Sequence, residues 1–350
     1  MRIAIVSDAW RPQINGVVRT IDTVAQLLRA DGHDVEVFGP DRFRTLPCPT
    51  YPEIRLSLFP GARLAHMLKL YAPDAIHLVT EGPLGWAARN FCLARGIPFT
   101  TAYHTRFPEY VHARIRLPVS WSYAFVRRFH APSAAVLVVA QSIRDELAQR
   151  GFRHLVPWSR GVDIAAFHPR QRTQTGDARP IWLYAGRVAI EKNIKAFLDL
   201  DLPGTKWVVG GGPQLKELRR RYKDARFFGS VDTDELSLRY AEADCFVFPS
   251  RTDTFGLVMV EALASGVPVA GYPVPGPLDV VTDPKVGALD EDLRAACLAA
   301  IDRDPADCRR HAETFTWERC AAQFLATLQP IARGVWQPLK RRAVPDAAAS

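Results

Sequence analysis

Short apolar runs recur along the chain, and each is followed by a stretch in which apolar positions return every three or four residues. In the first half the runs are Arg2–Ser7, Val35–Phe38, Ala75–Val79, Phe99–Tyr103 and Ala134–Val139. Their length and bounding turn residues predict strands. The clearest helical stretch between them is Val17–Ala30, with Val18, Ile21, Val24, Leu27 and Leu28 on one face and Gly32 just past its end. The second half repeats the scheme. Strands are expected at Ile181–Tyr184, Lys206–Val209, Arg226–Phe228, Cys245–Phe248 and Val267–Ala270, with helices beginning near Glu191, Pro213, Asp234 and Leu257. Strands alternating with helices mean parallel sheets covered on both faces, so the expected class is α/β with two doubly wound domains.

The segment Phe167–Pro180 is polar, aperiodic and contains Pro and Gly, as a linker does. The expected organisation is an N-terminal domain over 1–165, a linker over 166–180 and a C-terminal domain over 181–315. An amphipathic helix over 316–332 is expected to pack back on the first domain, and 333–350 forms a basic tail. Two such domains on one linker enclose a cleft. Open α/β sheets bind ligands at the carboxyl ends of their strands, so chemistry is expected on loops that follow strands.

Composition narrows the choices. With 350 residues, 48% of them hydrophobic, the chain can fill two cores, which excludes a disordered or fibrous protein. No apolar run reaches the ~18 residues of a spanning helix, and Met1–Asp8 turns acidic too early for a signal peptide. The six cysteines form no C-x-x-C pair and read as reduced thiols, which predicts a cytosolic compartment. The net charge of +8 is carried entirely by residues 1–160, with 20 basic against 12 acidic side chains, whereas 161–350 balance at 25 against 25. A basic half suggests an anionic partner, either a phosphorylated substrate or an anionic membrane surface. Nucleic acid is not expected, because no zinc finger or RNP box accompanies the charge. The alternative is plain arginine-rich usage.

Four strand-end loops carry candidate chemistry. Asp8–Val17 ends in Asn-Gly at a helix start, where Gly16 would let an anion reach the helix N–H groups. No G-x-G-x-x-G follows the first strand, which argues against a dinucleotide fingerprint. Tyr184–Asn193 places Arg187 and Lys192 five residues apart on one loop, two cations that suit a diphosphate. Gly210, Gly211 and Gly212 before Pro213 would permit close backbone approach of a ligand. Finally, Asp253 and Glu261 stand eight apart across the start of a helix. A carboxylate on a buried helix face needs a partner or a ligand hydroxyl. Asp232-Thr233-Asp234 imitates an Asp-x-Asp metal motif, but its place before Glu235 reads as a helix N-cap.

Arg187 with Lys192, the Gly-rich Pro turn and the block Ser250–Val269 together resemble the retaining glycosyltransferases of family 4, whose fold is GT-B, two Rossmann-like domains facing a cleft. The resemblance spans roughly residues 1–330. It implies a donor site on Gly16, Arg187, Lys192, Gly212 and the run Asp253, Thr254, Phe255, Gly256 and Leu257, with Glu261 on the ribose. Asp253 stands where the family has Glu, one methylene longer. His104, which ends a strand expected to face the cleft, would lie beside the transferred sugar, and the catalytic set becomes His104, Arg187, Lys192 and Asp253. The Arg160–Asp163 turn matches as well and reads as a structural crossover.

The expected reaction is transfer of a hexosyl unit from a nucleotide diphosphate sugar (UDP-Glc, UDP-glucuronate or GDP-Man), with retention and with neither metal ion nor cofactor. Pro12–Thr20 and Tyr103–Tyr110 are similar to bacterial diacylglycerol glycosyltransferases and phosphatidylinositol mannosyltransferases. That similarity implies a lipid acceptor such as diacylglycerol, phosphatidylinositol or a sphingolipid, and an enzyme peripheral on the inner face of the cytoplasmic membrane. Arg106, Tyr110, Arg114 and Arg116 are the acceptor-side candidates, followed by the aromatic and basic stretch Trp121–His130 with Arg127 and Arg128. A polysaccharide or soluble acceptor is the alternative. Two rivals from other classes remain, a nicotinamide dehydrogenase and a non-catalytic membrane-binding protein. The first would show nicotinamide turnover, and the second would be indifferent to Arg187→Ala.

Overall fold

The computed structural model describes residues 1–336 apart from 14, 49–50, 105, 107, 110–117 and 174, without the side chains of 51–53 and 333. The first half contains β1 (Arg2–Val6), α1 (Gly16–Ala30), β2 (Asp34–Phe38), β3 (Thr45–Cys48), β4 (Tyr51–Ser57) and α2 (Gly61–Tyr71). It continues with β5 (Ala75–Leu78), α3 (Pro83–Arg95), β6 (Thr100–Tyr103), α4 (Val119–His130), β7 (Ala135–Val138), α5 (Gln141–Gln149) and β8 (Leu155–Pro157). Six of these strands form a parallel sheet in the order β2-β1-β5-β6-β7-β8, and β3 and β4 pair apart as an antiparallel hairpin.

The second half opens with β9 (Ile181–Ala185), α6 (Ile194–Leu198), β10 (Thr205–Val209), α7 (Leu215–Arg221), β11 (Arg226–Gly229), α8 (Thr233–Glu242) and β12 (Cys245–Phe248). Then follow α9 (Leu257–Ala264), β13 (Val269–Gly271), α10 (Pro277–Val280), β14 (Gly287–Leu289), α11 (Leu293–Ala300), α12 (Pro305–Ala312) and α13 (Trp317–Thr327). Its sheet is also parallel, in the order β11-β10-β9-β12-β13-β14. Strand order reverses around β9, which sits between β10 and β12, and around β1, which sits between β2 and β5. Those reversals open crevices at the carboxyl edges.

Each sheet is covered because its helices carry one apolar stripe. In α1 the buried residues Val18, Ile21, Val24, Ala25 and Leu28 recur at helical spacing. Ile21, Val24, Ala25 and Leu28 pack with Ile3 and Ile5 of β1 and with Trp317, Cys320, Ala321 and Phe324 of α13. The last helix therefore completes the first domain: the Trp158 indole N–H donates to Cys320 O at 3.0 Å, and its ring lies 5.6 Å from that of Phe324. It stops at Thr327, earlier than the apolar spacing to Ile331 suggests, because Pro330 disfavours helical geometry just before it. Three bridges join the two halves across the crevices. Arg19 pairs with Glu261, the Thr254 hydroxyl donates to His104 O at 2.6 Å, and Ser142, at the start of α5, donates to Asp279 of α10.

Candidate active site

The loop after β9 is fastened at several points. The Tyr184 hydroxyl donates to Arg187 O at 2.8 Å, and Val188 N donates to Gly211 O at 2.8 Å. The glycine triplet packs closely against the same loop. A Cβ on Gly210 would lie 1.8 Å from Gly186 O and one on Gly212 2.4 Å from Val188 O. Both glycines hold positive φ, +133° and +152°. What approaches them is the backbone of the Arg187 loop, which these glycines let lie close.

Lys192 closes a single 3₁₀ turn, Ile190–Lys192, and its amine pairs with Asp253 on the loop after β12. The two loops are clamped further on, since Thr252 Oγ1 donates to Glu191 O at 3.1 Å and Asn193 Nδ2 to Pro249 O at 3.2 Å. Asp253 Oδ1 is occupied by Lys192, but Oδ2 is buried with no hydrogen-bond partner among the described residues. A buried carboxylate oxygen without a donor costs free energy, and a ligand hydroxyl would recover it.

Eight residues on, Glu261 lies on the buried face of α9. One oxygen pairs with Arg19 and the other accepts from the Tyr240 hydroxyl at 3.2 Å. Burial, then the Glu261 charge, raises the Tyr240 pKa well above its usual value, so that hydroxyl stays a donor. Gly256 caps α9 with φ +89° and makes no side-chain cap bond to the first-turn N–H groups. A helix start of that kind favours an anion. Phe255 is buried, Leu257 half-buried, and a Cβ on Gly256 would press within 2.9 Å of the Phe248 ring. Across the crevice, a Cβ on Gly16 would reach Leu257 Cδ1 at 3.6 Å. The starts of α1 and α9 thus face each other.

The edge of the first sheet is more self-contained. Asn15 Oδ1 accepts from Val17 N and Val18 N, both at 3.0 Å, so two of the N–H groups that Gly16 was expected to offer an anion are already bonded. Asp8 accepts from Leu84 N at 2.8 Å, Gly85 N at 3.2 Å and Thr80 Oγ1 at 3.0 Å. Burial nevertheless raises its pKa from 3.8 to about 6. His104 directly follows β6, with its carbonyl bonded to Thr254 and its ring 5.4 Å from that of Trp158. The Arg160 guanidinium donates to its Nδ1 at 3.3 Å, which leaves the ring hydrogen on Nε2. Burial, then the Arg160 charge, keeps the ring neutral, and Nε2 is buried with no partner among the described residues.

Arg160 is therefore more than part of a crossover turn. Its guanidinium lies 4.2 Å over the Trp158 ring, and burial lowers its pKa to about 10. Sequence reasoning missed it as an orienter of His104, and missed Arg19 and Tyr240 altogether. Arg106 binds Glu146 at 2.6 Å, within a cluster that also holds Glu109 and Tyr123. Tyr110, Arg114 and Arg116 lie outside the described residues. Asp232 caps α8, accepting from Glu235 N at 2.9 Å. Among the described residues no group of three His, Cys, Asp or Glu is placed to hold a metal ion.

Two family models match. The glycosyltransferase family 4 model covers residues 14–166, and the glycosyl transferases group 1 model covers 168–300. The chain belongs to glycosyltransferase family 4. A GDP-mannose-dependent alpha-mannosyltransferase of Corynebacterium glutamicum is 30% identical over 93% of this glycosyltransferase and 88% of its own length. An alpha-monoglucosyldiacylglycerol synthase of Streptococcus pneumoniae is 29% identical over 89% and 80%. Among solved structures, sucrose-phosphate synthase from Thermosynechococcus elongatus superposes with TM-score 0.74 at 21% identity, covering 93% of this chain and 97% of that one. The fold is GT-B, and the enzyme is a hexosyltransferase acting on nucleotide sugars.

Proposed function

We propose that this glycosyltransferase moves a hexosyl unit from a nucleotide diphosphate sugar to a membrane lipid, with retention at the anomeric carbon. One observation carries the site assignment. Two buried polar atoms, Asp253 Oδ2 and His104 Nε2, have no partner among the described residues, and they belong to the two segments joined by the Thr254–His104 hydrogen bond. One is an acceptor and the other a donor, which is what a sugar bearing hydroxyls on both sides requires. Glu261 suits the ribose hydroxyls, as the family resemblance implies.

The leaving group is a nucleoside diphosphate. Arg187, Lys192 and the uncapped start of α9 oppose the charge that develops on it, a type of stabilisation worth several kcal/mol in a water-poor cleft. With these groups supplying the countercharge, activity is expected to survive excess EDTA. Arg160 holds His104 in the tautomer that donates from Nε2. The bridges between the domains would limit hydrolysis of the donor by water.

A lipid acceptor is supported by α4. Tyr123, Val126 and Phe129 are buried, while Trp121 is 69% exposed and Phe125 46% exposed, with exposed Arg128 on the same face. Trp, Phe and Arg at i, i+4 and i+7 suit a membrane interface. Phe59, 96% exposed before α2, and Leu70, 72% exposed on α2, add apolar surface to the same domain. No helix among the described residues is long and apolar enough to cross a membrane. One relative's name gives GDP-mannose as donor and the other's gives a glucosyl lipid as product, so the donor is left to the test below.

The test offers radiolabelled UDP-Glc, UDP-glucuronate, UDP-Gal and GDP-Man to the enzyme with membranes. Label entering the organic phase from one donor is the expected result. Label confined to water-soluble or polymeric product would replace the lipid by a soluble or polysaccharide acceptor.

A further inference from the structure

Glu261 and Asp253, the two carboxylates of the donor side, each hold a cation. Lys192 comes from the same domain as Asp253, but Arg19 reaches Glu261 from the other domain, from the first turns of α1. The two ends of the Arg19 pair differ in exposure. The Glu261 side chain is 4% exposed and fixed by Tyr240, whereas the Arg19 side chain is 36% exposed, and its guanidinium rests 5.4 Å from the Phe167 ring. Glu261 cannot leave, and Arg19 can.

Gly16 and Arg19 stand at i and i+3, so they share a face of α1. Since Gly16 faces Leu257 at the start of α9, Arg19 extends from the gap between the two helix starts toward Glu261. We propose that Arg19 is a diphosphate-binding residue contributed by the first domain, held on Glu261 until the ribose hydroxyls of the donor take over that carboxylate. Ribose supplies Glu261 with neutral donors, the diphosphate supplies Arg19 with a dianion, and the exchange keeps both groups paired. The proposal rests on the assignment of Glu261 and the α9 start to the nucleotide.

Calorimetric titration of the full chain with UDP, GDP, uridine and guanosine tests it, using whichever base the wild type binds. Arg19→Gln is expected to weaken nucleoside diphosphate binding by about tenfold or more, as loss of a charge-assisted pair should. It should leave the phosphate-free nucleoside bound at least as well as in the wild type, and Arg19→Lys should recover part of the loss. Equal loss for nucleoside and nucleoside diphosphate would overturn the proposal, since Arg19 would then act only by positioning Glu261. Unchanged diphosphate affinity in Arg19→Gln, with loss in Arg187→Ala, would also overturn it while leaving the donor site intact. If Arg187→Ala binds normally too, the nucleotide assignment itself fails. Should Arg19→Gln not fold because Glu261 is left unpaired, the double variant Arg19→Gln/Glu261→Gln is compared with Glu261→Gln, and the same loss of diphosphate affinity is expected.

Discussion

The two sheets share an architecture, but they treat the polar groups at their crevice edges in opposite ways. In the first sheet, Asp8 accepts from two backbone N–H groups and Thr80, and Asn15 caps α1. In the second, α9 starts on Gly256 without a side-chain cap, and Asp253 keeps a buried oxygen unpartnered. Satisfied groups make a scaffold, and unsatisfied ones wait for a ligand. The first sheet has open atoms too among the described residues: His104 Nε2, whose other ring nitrogen Arg160 fills, the neighbouring Tyr103 hydroxyl and His77 Nε2 of β5.

Substitutions on the second edge should therefore strike catalysis first. Arg187→Ala and Lys192→Ala are each expected to lower kcat/KM by ~10² or more, because each removes charge-assisted bonds at the leaving group. Steady-state kinetics with the cognate donor decides, and near-normal turnover in either would move the diphosphate elsewhere. His104→Ala should cost less, about tenfold to a hundredfold in kcat, as loss of one donor to the sugar. An equal loss confined to KM would make His104 a general binding residue.

On the first edge the effect should appear in stability. The Asp8 pKa is raised in the fold, so the folded state holds the proton more tightly than the unfolded chain does. That contribution is complete below the unfolded value near 3.8 and is lost as pH rises through about 6, a change of roughly 1–3 kcal/mol. Asp8→Asn should flatten this slope, so the melting temperature of the wild type relative to the variant should fall between pH 4 and 7. An unchanged difference would mean that the N–H donors at Leu84 and Gly85 fully offset the burial. The smallest effect is expected outside both edges. Replacing Trp121 and Phe125 by Ser should weaken binding to anionic vesicles several-fold, and added salt should weaken it again, with nucleotide affinity untouched.

Much of this comparison was legible in the residue pattern. Ten strands fell within one or two residues of their places, because buried parallel strands read as short apolar runs between turn residues. The hairpin β3–β4, β8 and β14 did not: Pro47 and Pro157 interrupt two of them, and Gly287–Leu289 is too short to show a pattern. At the proposed donor site, Arg187, Lys192, Asp253 and Glu261 stood out because loops after strands and a charge on an apolar helix face are local signals. Arg19, Tyr240 and Arg160 were not, because their partners lie far off in sequence, 242 residues away for Arg19. On their own elements they read as ordinary polar positions. The Gly210–Gly212 turn was visible, but its neighbour, the backbone of another loop, was not.

The central claim is that the nucleotide sugar is held by the second sheet and only met by the first. Amide hydrogen exchange with and without the cognate nucleoside diphosphate reads this directly, since bound backbone and closed loops gain protection. The account predicts slowed exchange in residues 186–193 and 249–261, with a smaller change around Arg19 and none near Asp8 and Leu84. Protection confined to the loop after β1 and the start of α3, with 186–193 and 249–261 unchanged, would contradict it.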